Sequence, residues 1–146
     1  MSVNMSLGSP VSINLGNVDD APVAKGWHTV KIERAEADED KKGNPQISVL
    51  ARVTNESDPD NNKTIPWYLT FNGDLDSFQM KIVRRSIEAL GLPLNLDYPT
   101  YQDLGDALIG LSVDAYVTHR EWEGETKINV NKFRPISLLG MDDVEF

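Results

Sequence analysis

Apolar and polar side chains alternate along residues 46–54, which read Gln46-Ile47-Ser48-Val49-Leu50-Ala51-Arg52-Val53-Thr54. Successive side chains of a β-strand point to opposite faces of the sheet, so this period of two marks a strand with one buried face. The residues predicted to face the core are Ile47, Val49, Ala51 and Val53. The stretch therefore predicts a half-buried β-strand.

Two more strands are predicted, one on each side of this one. Residues 27–37 precede it across a polar loop and residues 64–71 follow it across another, and both have a period of two. In the later strand Trp67 and Phe71 share one face with Ile65 and Leu69, which favours core positions for both rings. Pro66 predicts a sheet edge or a bulge there.

The period changes to helical spacing after residue 72. The apolar and small residues that recur at this spacing are Leu75, Phe78, Ile82, Val83, Ser86, Ile87 and Leu90. Asp74 is the predicted N-cap, while Gly91 and Pro93 end the helix. A second, short helical segment is predicted over residues 100–108. The basic row Lys81, Arg84 and Arg85 is interpreted as a solvated helix face and a secondary DNA candidate.

Two strands complete the predicted fold. Val113, Ala115 and Val117 face the core in the first, and residues 127–133 return after a hairpin tip at residues 122–125, with Ile128 and Val130 inward. Three strands, a helix and two strands is the element order of a Greek-key OB barrel. We therefore expect a mainly β fold, a five-stranded OB barrel with an α-helix between strands 3 and 4.

The predicted organisation has three parts. Residues 1–25 form a flexible N-terminal arm or edge strand, residues 26–136 form the OB-fold domain, and residues 137–146 form an acidic C-terminal tail. A length of 146 residues suits one domain with a real core. The sequence has no cysteine, membrane span or export signal, so we expect a cytoplasmic protein, in the host cytoplasm if phage-encoded.

Charge is unevenly distributed along the chain. The net charge is −9, which argues against a nucleic-acid partner. Five of the acids lie near the two ends, namely Asp19, Asp20, Asp142, Asp143 and Glu145. Without them, 18 acids remain against 14 bases, or −4. Such a domain can still bind a polyanion if its bases share one face.

The tail predicts a docking peptide. Asp142, Asp143 and Glu145 suit a basic groove, and the terminal Phe146, whose own carboxylate adds a charge, suits an apolar pocket beside it. The alternative is a solvated acidic terminus that only aids solubility.

Several stretches together resemble a known family. They are Gly26-Trp27-His28-Thr29-Val30, Lys42-Gly43-Asn44-Pro45, Leu108-Ile109-Gly110-Leu111-Ser112-Val113 and Asn129-Val130-Asn131-Lys132-Phe133-Arg134-Pro135. With the interposed helix and the acidic tail ending in Phe146, the chain is similar to bacteriophage single-stranded DNA-binding proteins of OB fold. The resemblance implies sequence-tolerant binding of single strands and recruitment of replication or recombination proteins through the tail. The short apolar segment 136–140 departs from the long linker of bacterial forms.

Outward aromatic and basic residues are the candidate DNA contacts, because single strands are held by stacking on rings and by cations along the phosphates. Those on strands and loops that frame an OB groove are Trp27, Lys31, Lys41, Lys42, Arg52, Tyr68, Tyr116, Arg120, Trp122 and Lys127. Asp142, Asp143, Glu145 and Phe146 are the candidate partner-binding residues. The sequence does not decide whether the chain forms a homo-oligomer.

Enzymatic readings lack a motif. His28 and His119 have no recognisable triad setting, and residues 58–62 begin like a calcium loop but continue with Lys63 where glycine is required. We therefore expect no catalysis, no metal and no cofactor. The alternatives are an acidic OB-like protein–protein interaction module that binds no nucleic acid and a metal-dependent nuclease that uses Asp58 and Asp60.

Overall fold

The computed structural model describes residues 22–136 and contains five strands and two helices within them. The elements are β1 (Gly26–Glu39), β2 (Pro45–Val53), β3 (Thr64–Thr70), α1 (Phe78–Leu90), α2 (Tyr101–Leu108), β4 (Ser112–Trp122) and β5 (Glu125–Arg134). The mainly β fold and the position of the helices between the third and fourth strands are confirmed. Neither helix in the described range is long and apolar enough to cross a membrane.

The strands form one antiparallel sheet in the order β3-β2-β1-β4-β5. No ladder of backbone hydrogen bonds joins β3 to β5 within residues 22–136, so the sheet is not closed. It curls, however, so that its two edge strands approach each other, with the rings of Trp67 and Phe133 edge to face at 5.3 Å. The core lies inside this curl.

The predicted inward positions of β2 are all buried, at 3% exposure or less for Ile47, Val49, Ala51 and Val53. The core position of Trp67 is also confirmed. Phe71 is partly buried against the core and contacts the ring of Tyr101 at 5.0 Å. Pro66 lies on an edge strand, as expected of a residue without a backbone N–H.

Helix α1 begins later than the sequence pattern indicates. Its N-cap is Ser77, whose Oγ accepts the N–H of Met80 at 3.2 Å, so the prediction of Asp74 as the cap is wrong. Asp74 instead accepts the N–H of Asp76, two residues on. Leu75 therefore precedes the helix and is 77% exposed, and Phe78 at the first helical position is 56% exposed. The predicted end is confirmed, because Gly91 adopts a left-handed conformation at the C-cap.

Helix α2 packs across β1 through a glycine. A Cβ atom at Gly105 would lie 2.9 Å from the carbonyl oxygen of Ala35, closer than a side chain tolerates. Gln102, one turn earlier, donates to that same carbonyl and accepts the N–H of Ala37. The predicted second helical segment is therefore confirmed and fixed to the sheet.

Residues 22–25, from the predicted N-terminal arm, pack against the domain. Val23 is 2% exposed and belongs to the core. Its carbonyl oxygen lies 2.6 Å from Nε2 of His119. The rest of the predicted arm, residues 1–21, and the predicted tail, residues 137–146, lie outside the described residues.

Candidate nucleic-acid interface

A row of side chains crosses the outer face of three adjacent strands. Trp27 on β1 is the register partner of Tyr116 on β4, and Tyr116 is the partner of Lys132 on β5. The rings of Trp27 and Tyr116 meet edge to face at 5.2 Å. Two of the predicted DNA contacts are therefore in direct contact.

A cation lies over each aromatic ring on this face. Arg134 lies 4.3 Å from the ring centroid of Trp27, Lys132 lies 5.4 Å from that of Tyr116, and Arg120 lies 5.9 Å from that of Trp122. Together with Lys127, the register partner of Arg120, these residues form what we call the aromatic–cation stripe. Its members are Trp27, Tyr116, Arg120, Trp122, Lys127, Lys132 and Arg134.

A β-bulge explains why Lys132 and Arg134 belong to the stripe. Val130 and Phe133 are both buried although they are three positions apart, an odd spacing that strict alternation does not allow. The register shifts between Tyr116 and Val117, so β5 has one extra residue there. Alternation continued from Ile128 and Val130 would turn positions 132 and 134 inward, so sequence reasoning missed both cations. The signal that was available is the large apolar Phe133 between two bases.

A buried carboxylate holds one end of the stripe. Asp114 is 4% exposed and accepts hydrogen bonds from Arg134 Nε at 3.1 Å and from Thr29 Oγ1 at 2.6 Å. The ion pair positions the guanidinium above Trp27. Because Asp114 balances this charge, Arg134 contributes more to the arrangement of the ring than to net positive charge.

The other end of the stripe is the hairpin that joins β4 to β5. Its two turn residues, Glu123 and Gly124, have φ of 52° and 80°, the signature of a type I′ turn. Trp122 ends β4 beside this turn and is 56% exposed. Lys127 pairs with Glu125 at 2.9 Å, and its hydrogen bond lowers the pKa of the Glu125 carboxyl.

A cleft between β3 and β5 adjoins this end of the stripe. Tyr68 on β3 is 58% exposed and lines the cleft together with Arg120, Lys127 and Asn129. The cleft has a volume of about 470 Å³, within the range of ligand-binding pockets. The structure thus brings Tyr68 together with two predicted DNA contacts from the β4–β5 hairpin.

Arg52 and Lys31 are less available. They are register partners on β2 and β1, but the guanidinium of Arg52 donates to both carboxylate oxygens of Glu33, at 2.6 and 3.1 Å, and to the carbonyl of Asn62. The hydrogen bond from Arg52 is the main cause of the lowered pKa of Glu33. Arg52 therefore serves first to hold neighbouring strands, while Lys31 stays exposed.

Lys41 and Lys42 lie in the loop between β1 and β2. Both are exposed, but three acids, Asp38, Glu39 and Asp40, directly precede them. Asp40 accepts the N–H groups of Lys42 and Asn44, and the bond from Asn44 is the first cause of its lowered pKa. The predicted partner-binding residues Asp142, Asp143, Glu145 and Phe146 lie outside the described range.

A second polar cluster lies at the base of β1, and sequence reasoning missed it. Nδ1 of His28 lies 2.5 Å from Asp58 Oδ2, and Nε2 lies 2.7 Å from the carbonyl oxygen of Ala24. A neutral imidazole has only one N–H, so only the doubly protonated ring donates to both acceptors. Asp60 accepts the N–H of Ala24 at 3.0 Å and pairs with Lys63 at 3.0 Å.

This cluster meets the spacing of a metal site, since the potential ligand atoms of His28, Asp58 and Asp60 lie within 4.8 Å of one another. Its carboxylates already have partners, however. Asp58 faces the imidazole, and Asp60 has Lys63 and the N–H of Ala24. These contacts account for the cluster as a clamp that fixes residues 23–24 to the sheet.

Comparison with known proteins gives no family assignment. No family model matches the chain, and no curated protein matches it.

Proposed function

We propose that this protein binds single-stranded DNA largely without sequence specificity and protects it during phage DNA replication or recombination. The observation that carries the proposal is the aromatic–cation stripe, in which each of three rings has a cation within 6 Å. Rings for base stacking and cations for phosphates are the two side-chain types that such binding requires. Neither reads a base sequence.

We interpret the curled five-stranded sheet as an OB fold whose barrel is incompletely closed, and this interpretation supports the proposal. β1 pairs with both β2 and β4, and the edge strands β3 and β5 approach each other through Trp67 and Phe133. In an OB fold the outer face of strands 2 and 3 and the loops 1–2 and 4–5 bind oligonucleotides. Tyr68 and the β4–β5 hairpin occupy the corresponding positions.

The β4–β5 hairpin is much less acidic than the chain as a whole, whose net charge is −9. It contains four bases, Arg120, Lys127, Lys132 and Arg134, and four acids, Asp114, Glu121, Glu123 and Glu125, so its formal charge is zero. Many of the acids lie elsewhere, in the loops and on α2. DNA binding depends on the local potential along the backbone track more than on the total.

The tail has a separate part in the proposal. Asp142, Asp143, Glu145 and Phe146 present carboxylates beside an aromatic ring, which suits recruitment of replication or recombination proteins by a basic, partly apolar groove. The phage setting rests on the resemblance of the sequence motifs. We assign the protein no catalytic role.

A titration with fluorescently labelled oligo(dT) tests the proposal, followed through the emission of the three tryptophans at several salt concentrations. Trp27 and Trp122 lie on the stripe, so binding should quench their emission. Phosphate contacts from Arg120, Lys127 and Lys132 predict a slope of about −2 in the plot of log affinity against log salt, since each contributes about −0.7 for single strands.

A double substitution sharpens the test. Arg120→Ala with Lys127→Ala should reduce the magnitude of that slope to about −0.7. Arg34→Ala removes a charge away from the stripe and from α1 and should leave the slope near about −2. If oligo(dT) causes neither quenching nor a salt-dependent association, DNA binding is wrong and the acidic protein-interaction module replaces it.

A further inference from the structure

An apolar groove runs beside α1, away from the aromatic–cation stripe. Its apolar lining consists of Leu75, Met80, Val83, Ile87, Leu94 and Leu96, which we call the α1 groove. Asp76, Lys81 and Arg84 complete its rim, and its volume is about 460 Å³. This is large enough to receive a bulky side chain.

The walls of the α1 groove expose much apolar surface. Val83 and Ile87 form a buried floor, at 3% and 1% exposure. Leu75 and Leu94, in contrast, are 77% and 49% exposed although they line the same groove. Large apolar side chains grouped around a concave surface mark a binding site more often than a passive surface.

The rim of the groove is basic. Lys81 and Arg84 lie one helical turn apart on α1, and Lys81 has no ion-pair partner among residues 22–136. Arg84 pairs with Glu88 at 2.9 Å, but its side chain is 69% exposed. Exposed pairs of this kind contribute about 0–1 kcal/mol, so Arg84 readily exchanges Glu88 for another carboxylate. Asp76 is the acid that opposes them on the rim.

We propose that residues 141–146 of the same chain dock in the α1 groove. This segment reads Met-Asp-Asp-Val-Glu-Phe and thus combines three carboxylates with an aromatic ring. Phe146 fits the apolar lining, and Asp142, Asp143 and Glu145 complement Lys81 and Arg84. The groove matches both properties of the segment at once.

The aromatic–cation stripe is a poorer receptor for this segment. It offers cations, but its members lie on an open sheet face without a buried apolar floor. Phe146 would gain little apolar burial there. The α1 groove combines a buried apolar floor with a basic rim, and burial of a phenylalanine ring contributes about 1.5–3 kcal/mol.

The chain has the length to reach. α1 packs against β5, where Arg85 donates to the carbonyl oxygen of Asn131 at 3.2 Å. The five residues from Asn131 to Ile136 span at most about 18 Å, and the ten residues after Ile136 span at most about 36 Å. The segment can therefore return to α1 even if residues 132–136 lead directly away from it.

Docking gives the tail a second state. While residues 141–146 occupy the α1 groove, they are withheld both from partner proteins and from the stripe. A partner protein must then displace the tail from the groove, so it is recruited only when it binds the tail more strongly than the groove does. This inference does not require that the protein binds DNA.

Paramagnetic labelling of the full-length protein tests the docking. The chain contains no cysteine, so Met141→Cys provides a single attachment site for a nitroxide. Amide signals of residues 75–87 and 94–96 should lose intensity, while those of Lys127 and Asn129 in the β3–β5 cleft should not. Phe146→Ala in the labelled chain should restore the lost signals.

Charge variants provide the matched control. Lys81→Glu with Arg84→Glu should also restore the signals, whereas Lys41→Glu with Lys42→Glu makes the same charge change in a loop outside the groove and should not. Leu75→Glu places a charge in the apolar wall of the groove and should restore the signals as well. Leu75 is 77% exposed, so this variant keeps the core intact. Retained dispersion of the other amide signals verifies the fold of every variant.

Three outcomes would overturn the inference. One is a spectrum in which the label affects no amide of the α1 groove. Another is loss of intensity centred on the stripe, which would mean that the tail covers the DNA-binding face instead. The third is loss of groove signals only when labelled and isotope-enriched chains are mixed, which would assign the groove to a second copy.

Discussion

At the scale of single residues, Trp122 has the clearest predicted effect on binding. It is 56% exposed beside the hairpin turn, so much of its ring surface is available to a base. Loss of one stacked base costs about 1–3 kcal/mol. We expect Trp122→Ala to weaken oligo(dT) binding by about 5- to 150-fold, measured by fluorescence anisotropy.

A matched control exists on the other side of the molecule. Phe78 is also 56% exposed but lies on α1, away from the stripe. Phe78→Ala should leave the affinity for oligo(dT) unchanged. Equal effects of the two substitutions would mean that exposed aromatic surface, and not the stripe, accounts for binding.

Asp60 is expected to control acid stability. Its pKa is lowered from the ordinary value of 3.8, first by the hydrogen bond from the N–H of Ala24 and then by Lys63. A carboxyl whose pKa is lower in the folded state stabilises the fold at pH values above its unfolded pKa. That contribution is lost as the pH falls through the lower folded value.

Asp60→Ala should therefore reduce the free energy of unfolding by about 1–3 kcal/mol at pH 7, because it removes a carboxylate that accepts the N–H of Ala24 and pairs with Lys63. The difference from the parent should shrink as the pH falls below about 4, measured by urea unfolding. Asp97→Ala, at an exposed loop position, is the control. A difference that stayed constant down to pH 2 would exclude this linkage.

At the scale of elements, the start of α1 makes a direct prediction. Ser77 caps the helix through Met80, whereas Asp74 closes a local turn. Loss of an N-cap costs about 1 kcal/mol. Ser77→Ala should lower the free energy of unfolding by that amount and Asp74→Ala by clearly less, as measured by chemical denaturation. The reverse order would restore Asp74 as the cap.

The same helix shows why local patterns predict some features and not others. Alternation located β2 and its four core residues correctly because a half-buried strand leaves a strict period of two. Asp74 and Ser77 are both good caps, so composition does not decide between them. The N-cap of the helix is Ser77 in the structure. Leu75, which the sequence pattern assigns to the apolar face of the helix, therefore precedes the helix and is exposed.

The candidate site was predictable to a similar extent. The alternation of side chains along the strands identified Trp27, Tyr116 and Tyr68 as outward residues. The exposure of Trp122 at the hairpin is also as expected. Lys132 and Arg134 were missed because a β-bulge in β5 reverses which side chains face the core beyond it. The clamp of His28 with Asp58 was missed because thirty residues separate its members, and contact over that distance depends on the folded sheet.

At the scale of the whole molecule, the tail should oppose DNA binding electrostatically in the state in which it is released from the α1 groove. Each carboxylate about 10 Å from a phosphate contributes roughly 0.4 kcal/mol of repulsion in water, so three contribute about 1 kcal/mol. Deletion of residues 142–146 should tighten oligo(dT) binding about sixfold at low salt and much less at high salt. Unchanged affinity would leave the tail as a docking peptide only.

The open side of the sheet also has a consequence for how copies of the chain behave at high concentration. β3 and β5 each have one edge without a partner strand among residues 22–136, and such edges template the growth of fibres. Pro66 interrupts that template because it has no N–H to offer. Pro66→Thr should change the free energy of unfolding by no more than about 1 kcal/mol. It should nevertheless promote aggregation, detected by light scattering, while Pro93→Thr, outside the sheet, should not. The proline thus protects solubility at little benefit to stability.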